Sequence, residues 1–186
     1  MEKNKITDSI RKEKLQLEMF EKFIYLKVPA LFFFISFMCL TKGFQNFTFL
    51  DYNTTSSKIG FLFIGLGTIS IILKIIRLKL ISVDNANLNV KENILNAAEK
   101  RKWKTELNSE TAIIFITVPI KGYDDYIDYN KHAGERIYIF FDHKKVLLRS
   151  IDNFDSFSFK IQKGENSANE KTIINAIKPA ATAILS

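Results

Sequence analysis

The sequence predicts an α+β protein: an N-terminal helix and a two-helix transmembrane hairpin, followed by a small cytoplasmic two-layer domain of helix, four or five antiparallel strands and helix. Three observations predict it. Two apolar blocks, residues 23–41 and 59–76, stand in a 186-residue chain that is 47 % apolar and whose mean hydropathy is near zero. Short apolar runs bounded by polar turns fill the stretch from Trp103 to Ile161. Helix-capping pairs, Asn89 with Glu92 and Ser167 with Glu170, flank those runs.

The first element, residues 1–22, carries Ile6, Ile10, Leu17 and Phe20 on a heptad-like face that Ile24 continues and Glu13 interrupts. It reads as an amphipathic cytoplasmic helix. Such a helix can fold back on the sheet, pair with a second copy, or lie along lipid.

A membrane helix needs about 20 mostly apolar residues. The run Val28–Leu40 is short, so the first span, residues 23–41, must draw on Phe23–Leu26, with Lys27 near a headgroup layer and Pro29 in an early turn. A cleaved signal peptide is disfavoured, because the basic stretch is too long and no A-x-A-like site follows Leu40. The second span, residues 59–76, has the required length if Lys74 snorkels. Buried helices of a soluble core would show some polar face, and neither block has one.

Lys and Arg fix the expected orientation. Seven lie in residues 1–27, Lys27 at the mouth of the first span among them, and three (Lys74, Arg77 and Lys79) close the second, against two in the loop 42–58. Both termini are therefore expected in the cytoplasm of an inner (plasma) membrane protein, with Lys27, Lys74, Arg77 and Lys79 as anchors at the membrane ends. The loop's Phe44, Phe47, Phe49 and Tyr52 suit an interfacial aromatic belt. Its N-x-T matches at Asn46 and Asn53 lie close to the membrane and carry little weight. No ionisable residue falls in the middle of either block, which favours an anchor over a transport path. Gly60, Gly65 and Gly67 permit close helix approach but do not form G-x-x-x-G.

The cytoplasmic domain spans 80–179, before a tail at 180–186. A helix is expected from Asn89 to about Lys102. Strands are expected at Trp103–Leu107, Ala112–Val118, Arg136–Phe141, Val146–Ile151 and Phe157–Ile161, and a last helix from Ser167 to before Pro179. Short connections imply antiparallel pairing. Ala112–Val118 and Arg136–Phe141 are apolar on both faces, so both need cover. Two helices cover one face, and the N-terminal segment or a partner must supply the other.

Chemistry is sparse. Cys39 is the single cysteine, so neither a disulfide nor a thiolate metal site forms within one chain. The net charge of +7 is concentrated at the membrane flanks: from Leu80 onward fifteen basic residues face fourteen acidic ones, which argues against nucleic acid as a partner. His132 and His143 lack companions at ligand spacing, and Asp124, Asp125 and Asp128 do not match an EF-hand. Phosphate-loop, dinucleotide, nucleophile-elbow and zincin motifs are missing from the sequence. We therefore expect no catalytic, cofactor or metal residues.

The expected function is a non-catalytic, membrane-anchored interaction or scaffold protein, an accessory subunit of a membrane complex. Its partners would be the bilayer and another membrane protein or a second copy. Its candidate interaction surface is Ile6, Ile10, Leu17, Phe20, Trp103, Phe154, Phe157 and Phe159. The alternative is a channel-like effector whose hairpins oligomerise under control of the cytoplasmic domain.

Overall fold

The computed structural model describes residues 3–41, 55–84, 89–117, 134–153 and 165–178. The chain divides into two units: Met1–Leu17 with Leu78–Ser186, and Glu18–Arg77. Among the described residues there are six helices and five strands.

The first unit holds α1 (Lys3–Arg11), β1 (Ile81–Asp84), α5 (Val90–Lys100), β2 (Lys104–Asn108), β3 (Ala112–Ile116), β4 (Glu135–Asp142), β5 (Lys145–Asp152) and α6 (Glu165–Ile177). The strands form one antiparallel sheet in the order β1-β5-β4-β3-β2. Alternation sorts its side chains onto two faces. On one face Ile113, Phe115, Ile137, Ile139, Val146 and Leu148 pack with Val90, Ile94 and Ala98 of α5 and Ile173 and Ile177 of α6, all buried. On the other face lie Ala112, Ile114, Tyr138, Phe140, Leu147 and Ile151, equally buried. That second face carries α1, which packs against β4, and Lys145 of the same face pairs with Glu13. The sheet is therefore sandwiched, with the N-terminal segment forming a partial third layer where two layers were expected.

Polar side chains fasten the last helix. Ser150 Oγ and Asn166 Oδ1 are 2.7 Å apart, and the Ser150 N–H donates to Glu170 Oε1 at 3.1 Å, with Arg149 3.5 Å from the same carboxylate. These contacts pin the start of α6 to β5.

Several expectations change. The helix foreseen over residues 1–22 is two helices separated by an extended stretch. α1 ends because Glu13 adopts φ 45°, while the Glu13 N–H bonds to Ile10 O at 3.1 Å and the Lys14 N–H to Ser9 O at 3.2 Å, a Schellman closure. β1 was not foreseen, because ISVD is only four residues long. The capping pair at Ser167 does not start the last helix, which already runs from Glu165. The β2 strand is Lys104–Asn108, displaced by one residue from the expected run. Val118 and the predicted strand Phe157–Ile161 lie outside the described residues.

The second unit holds α2 (Met19–Tyr25), α3 (Lys27–Leu40) and α4 (Thr55–Arg77). One helix, Ser57–Arg77 within α4, is long and apolar enough to cross a membrane, and only 11 % of its most apolar window is buried. α2 and α3 together pass the same test but bend by 59° between Tyr25 and Lys27. The span expected at 23–41 is therefore a broken pair. α3 and α4 pack along their lengths.

Candidate functional site

The second unit turns many of its apolar side chains outward and holds polar contacts between its helices. Leu31, Phe34 and Phe37 of α3 and Leu62, Ile69, Ile72 and Ile76 of α4 are exposed. Inside the pair, buried Ser36 donates its hydroxyl proton to Gly60 O at 2.8 Å, and the rings of Phe32 and Phe63 sit 5.9 Å apart. Tyr25 donates to Lys74 O at 3.0 Å, with the Lys74 ammonium 4.2 Å from the Tyr25 ring centre. Partners rise along one helix as they fall along the other, so α3 and α4 are antiparallel.

Glycine makes the approach possible. A Cβ at Gly60 would stand 2.7 Å from Leu40 Cγ, and one at Gly67 would stand 3.1 Å from the Phe33 ring. Gly65 meets nothing within 4 Å. Two of the three glycines singled out in the sequence thus serve the α3–α4 contact.

The sheet unit contains a tie that the sequence did not reveal. The Leu15 N–H donates to Leu78 O at 2.8 Å and the Leu80 N–H to Glu13 O at 2.9 Å, with Lys14 and Lys79 facing each other in an antiparallel bridge. Leu15, Leu17 and Leu80 are buried there. The Gln16 N–H donates to Ser9 Oγ at 3.0 Å, which anchors the same stretch to α1. Hydrogen bonding and charge from Lys145 hold the Glu13 carboxyl below its ordinary value, and Glu13 in turn raises the Lys145 ammonium. Both side chains remain substantially hydrated, so solvent screens the pair.

Of the eight predicted interaction residues, five fall within the described residues, four in the sheet unit and one in the other. Ile6 and Leu17 are buried within the sheet unit. Ile10 lines a shallow groove of ≈ 210 Å³ with Lys3, Ile6, Thr7, Arg11 and Thr111. Trp103 packs on Phe115, ring centres 5.9 Å apart, so it belongs to the core margin. Phe20 belongs to the hairpin unit and is exposed. Phe154, Phe157 and Phe159 lie outside the described residues. Of the anchors, Lys27 opens α3, Lys74 and Arg77 close α4, and Lys79 belongs to the tie.

His143 sits exposed in the two-residue turn between β4 and β5, as the turn reading expects. His132, Asp124, Asp125 and Asp128 lie outside the described residues. Among the described residues no group of three or more His, Cys, Asp or Glu side chains is placed to hold a metal ion. A buried polar corner does exist: Thr117 donates to Glu135 Oε2 at 2.7 Å and accepts from the Glu135 N–H at 2.8 Å. Those bonds close the end of the β3–β4 pair. No family model matches the chain, and neither a curated protein nor a solved structure matches it.

Proposed function

We propose that the protein is a membrane-anchored accessory or scaffold subunit without catalytic activity of its own. In this reading α4 and the bent α2–α3 pair form a two-span hairpin, with the sheet unit on the cytoplasmic face of the inner membrane.

The observation that carries this reading is the tie between residues 13–15 and 78–80. Two segments joined by backbone hydrogen bonds lie on one side of a bilayer. The chain between them must therefore cross an even number of times. If α4 crosses once, a second crossing is required, and α3, packed antiparallel to α4, is the segment in place to make it. The outward apolar side chains and inward Ser36–Gly60 bond invert the arrangement of a water-soluble pair, as lipid demands. The Lys and Arg excess at the α2 and α4 ends favours those ends inside.

The accessory role rests on the hairpin's lack of mid-span charge and on the domain's small polar clusters, each of which is used to close a strand or fasten a helix. A partner would engage the outer hairpin or the domain rim, because the second sheet face already carries α1.

Crosslinking with mass spectrometry in unbroken cells tests the proposal. Recurrent crosslinks to one membrane protein, or to a second copy, are expected. A monodisperse monomer after gentle extraction, together with no crosslinked neighbour, overturns it.

A further inference from the structure

We infer that α2 is a membrane-surface elbow: it lies along the headgroup layer of an anionic leaflet, with Met19, Phe20 and Phe23 sunk into the acyl boundary and Lys22, Lys27, Lys74 and Arg77 set among the lipid phosphates. The inference rests on the reading of α4 as a span and names the lipid chemistry at its basic end.

The register between helices sets the depth. Tyr25 bonds to the Lys74 carbonyl and lies beneath the Lys74 ammonium, so the end of α2 is level with the last turn of α4. Ser57–Arg77 at 1.5 Å per residue is about 31 Å long, close to a hydrocarbon thickness of about 30 Å. Lys74 and Arg77 therefore stand at the interface, and Tyr25 with them. The remainder of α2 runs out from that level at 59° to α3, turned toward the membrane plane instead of along the span.

Its faces fit the position. At 100° per residue Met19, Phe23 and Phe20 share an arc of about 100°, with Glu21, Lys22 and Tyr25 opposite. The three apolar side chains are 90 %, 68 % and 71 % exposed, although Ile24 and Tyr25 beside them are buried. The exposed patch continues in sequence into exposed Leu31 and Phe34 of α3, whose own solvent is lipid in the proposed reading. Four cations at this end outnumber the two carboxylates Glu18 and Glu21.

Carrying α2 onward as part of a straight span would drag Lys22 and Lys27 into hydrocarbon, where charge is strongly disfavoured. α3 alone, fourteen residues and about 21 Å long, is short for the bilayer. A short span is accommodated by flanking residues that snorkel and by local thinning, and an apolar elbow at its mouth is such a flank.

The test uses the full chain in vesicles of equimolar phosphatidylcholine and phosphatidylglycerol. Spin labels are placed singly through Phe20→Cys, Phe23→Cys and Glu21→Cys in a Cys39→Ala background, and depth is read from collision with oxygen against a water-soluble nickel complex. Labels at 20 and 23 are expected at one shallow depth, about 5–10 Å below the phosphates, with the label at 21 in water. A depth that grows steeply from 20 to 23, full exposure to nickel, or shielding from both reagents by protein each overturns the inference. Spin-labelled lipids supply a second reading. Phosphatidylglycerol should associate in preference to phosphatidylcholine, and that preference should fall roughly fivefold for each cation removed by Lys22→Gln or Lys27→Gln; equal association of the two lipids overturns the anionic choice. Carbonate extraction of the same vesicles separates the two levels. A protein that stays embedded while its labels report water sinks the elbow alone, whereas one that washes off sinks the span as well.

Discussion

Backbone conformation at Lys102 decides where α5 stops. Its φ of 56° places a side chain in the left-handed region, while the Lys102 N–H reaches Glu99 O at 2.9 Å and the Trp103 N–H reaches Ala98 O at 3.0 Å, the paired bonds of a Schellman closure. A non-glycine residue is strained there. Lys102→Gly is accordingly expected to stabilise the domain by about 0.5–1 kcal/mol, less than the full strain because glycine also frees the unfolded chain, as denaturant melts would show. Gly134 is the opposite case. At φ +55°, with the Thr117 carbonyl oxygen standing in the way of any added Cβ, Gly134→Ala should cost about 2 kcal/mol or more on the same measurement. Only the second requirement shows in the sequence, as a glycine; a positive φ leaves no mark when a lysine occupies it. Glu13 was visible as an interruption of an apolar face, but its partner Lys145 is 132 positions away, and periodicity cannot see across that distance. The pair also sets a pH dependence. Glu13 ionises more readily folded than unfolded, so its contribution is complete above the ordinary carboxyl value of 4.5 and is lost as pH falls through the lowered folded value. Lys145 is raised, so its contribution holds below 10.5 and fades as pH climbs through its folded value. Protection factors of the Leu15 and Leu80 N–H groups, which close the tie, should therefore fall toward either extreme, and Glu13→Gln should remove the acid limb.

α1 and the stretch to Leu17 show what an amphipathic pattern does and does not specify. The apolar positions Ile6, Ile10 and Leu17 were readable as a face in need of cover, and the two-sided apolar strands as a sheet in need of a lid. That these demands satisfy each other follows from chain geometry. The pattern alone left lipid and a second copy as equal claimants. Leu15 is only 2 % exposed, and its backbone holds the tie. Leu15→Ala should cost about 2–5 kcal/mol, the range for emptying a buried leucine site, with increased binding of a hydrophobic dye as the second sheet face opens. α3 and α4 illustrate a different gap. Their apolar length was plain, but the 59° bend was not, since Pro29 lies past the break and Leu26 carries no breaker's signature. The two tight glycines make the pairing testable. Gly60→Leu, which drives atoms into Leu40, should lower the hairpin's melting temperature in detergent and cost about 1–3 kcal/mol. Gly65→Ala, with open space around it, should be neutral or gain up to about 1 kcal/mol from helix propensity. Equal effects at the two sites would mean that the glycines do not define the contact.

The chain as a whole is an insertion: one unit begins at Met1, yields at Leu17 to the hairpin, and resumes at Leu78. Such a unit cannot fold around a segment that crosses a membrane an odd number of times, because residues 13–15 and 78–80 must meet in one compartment to exchange their hydrogen bonds. Folding and topology are thereby coupled. In the proposed reading the positive-inside bias chooses which side, and the tie requires that both flanks choose together. Reporters fused ahead of Lys3 and after Lys178 should consequently sit on one side in every correctly folded molecule. Replacing Lys22, Lys27, Lys74 and Arg77 with glutamine while adding lysines between residues 42 and 54 should carry both reporters across together. Where expression yields molecules with reporters on opposite sides, those molecules should lack the Glu13–Lys145 contact and be cut rapidly by protease near Leu15 and Leu80. A protease-resistant chain with split reporters would break the parity argument, and with it the assignment of α3 as the second crossing.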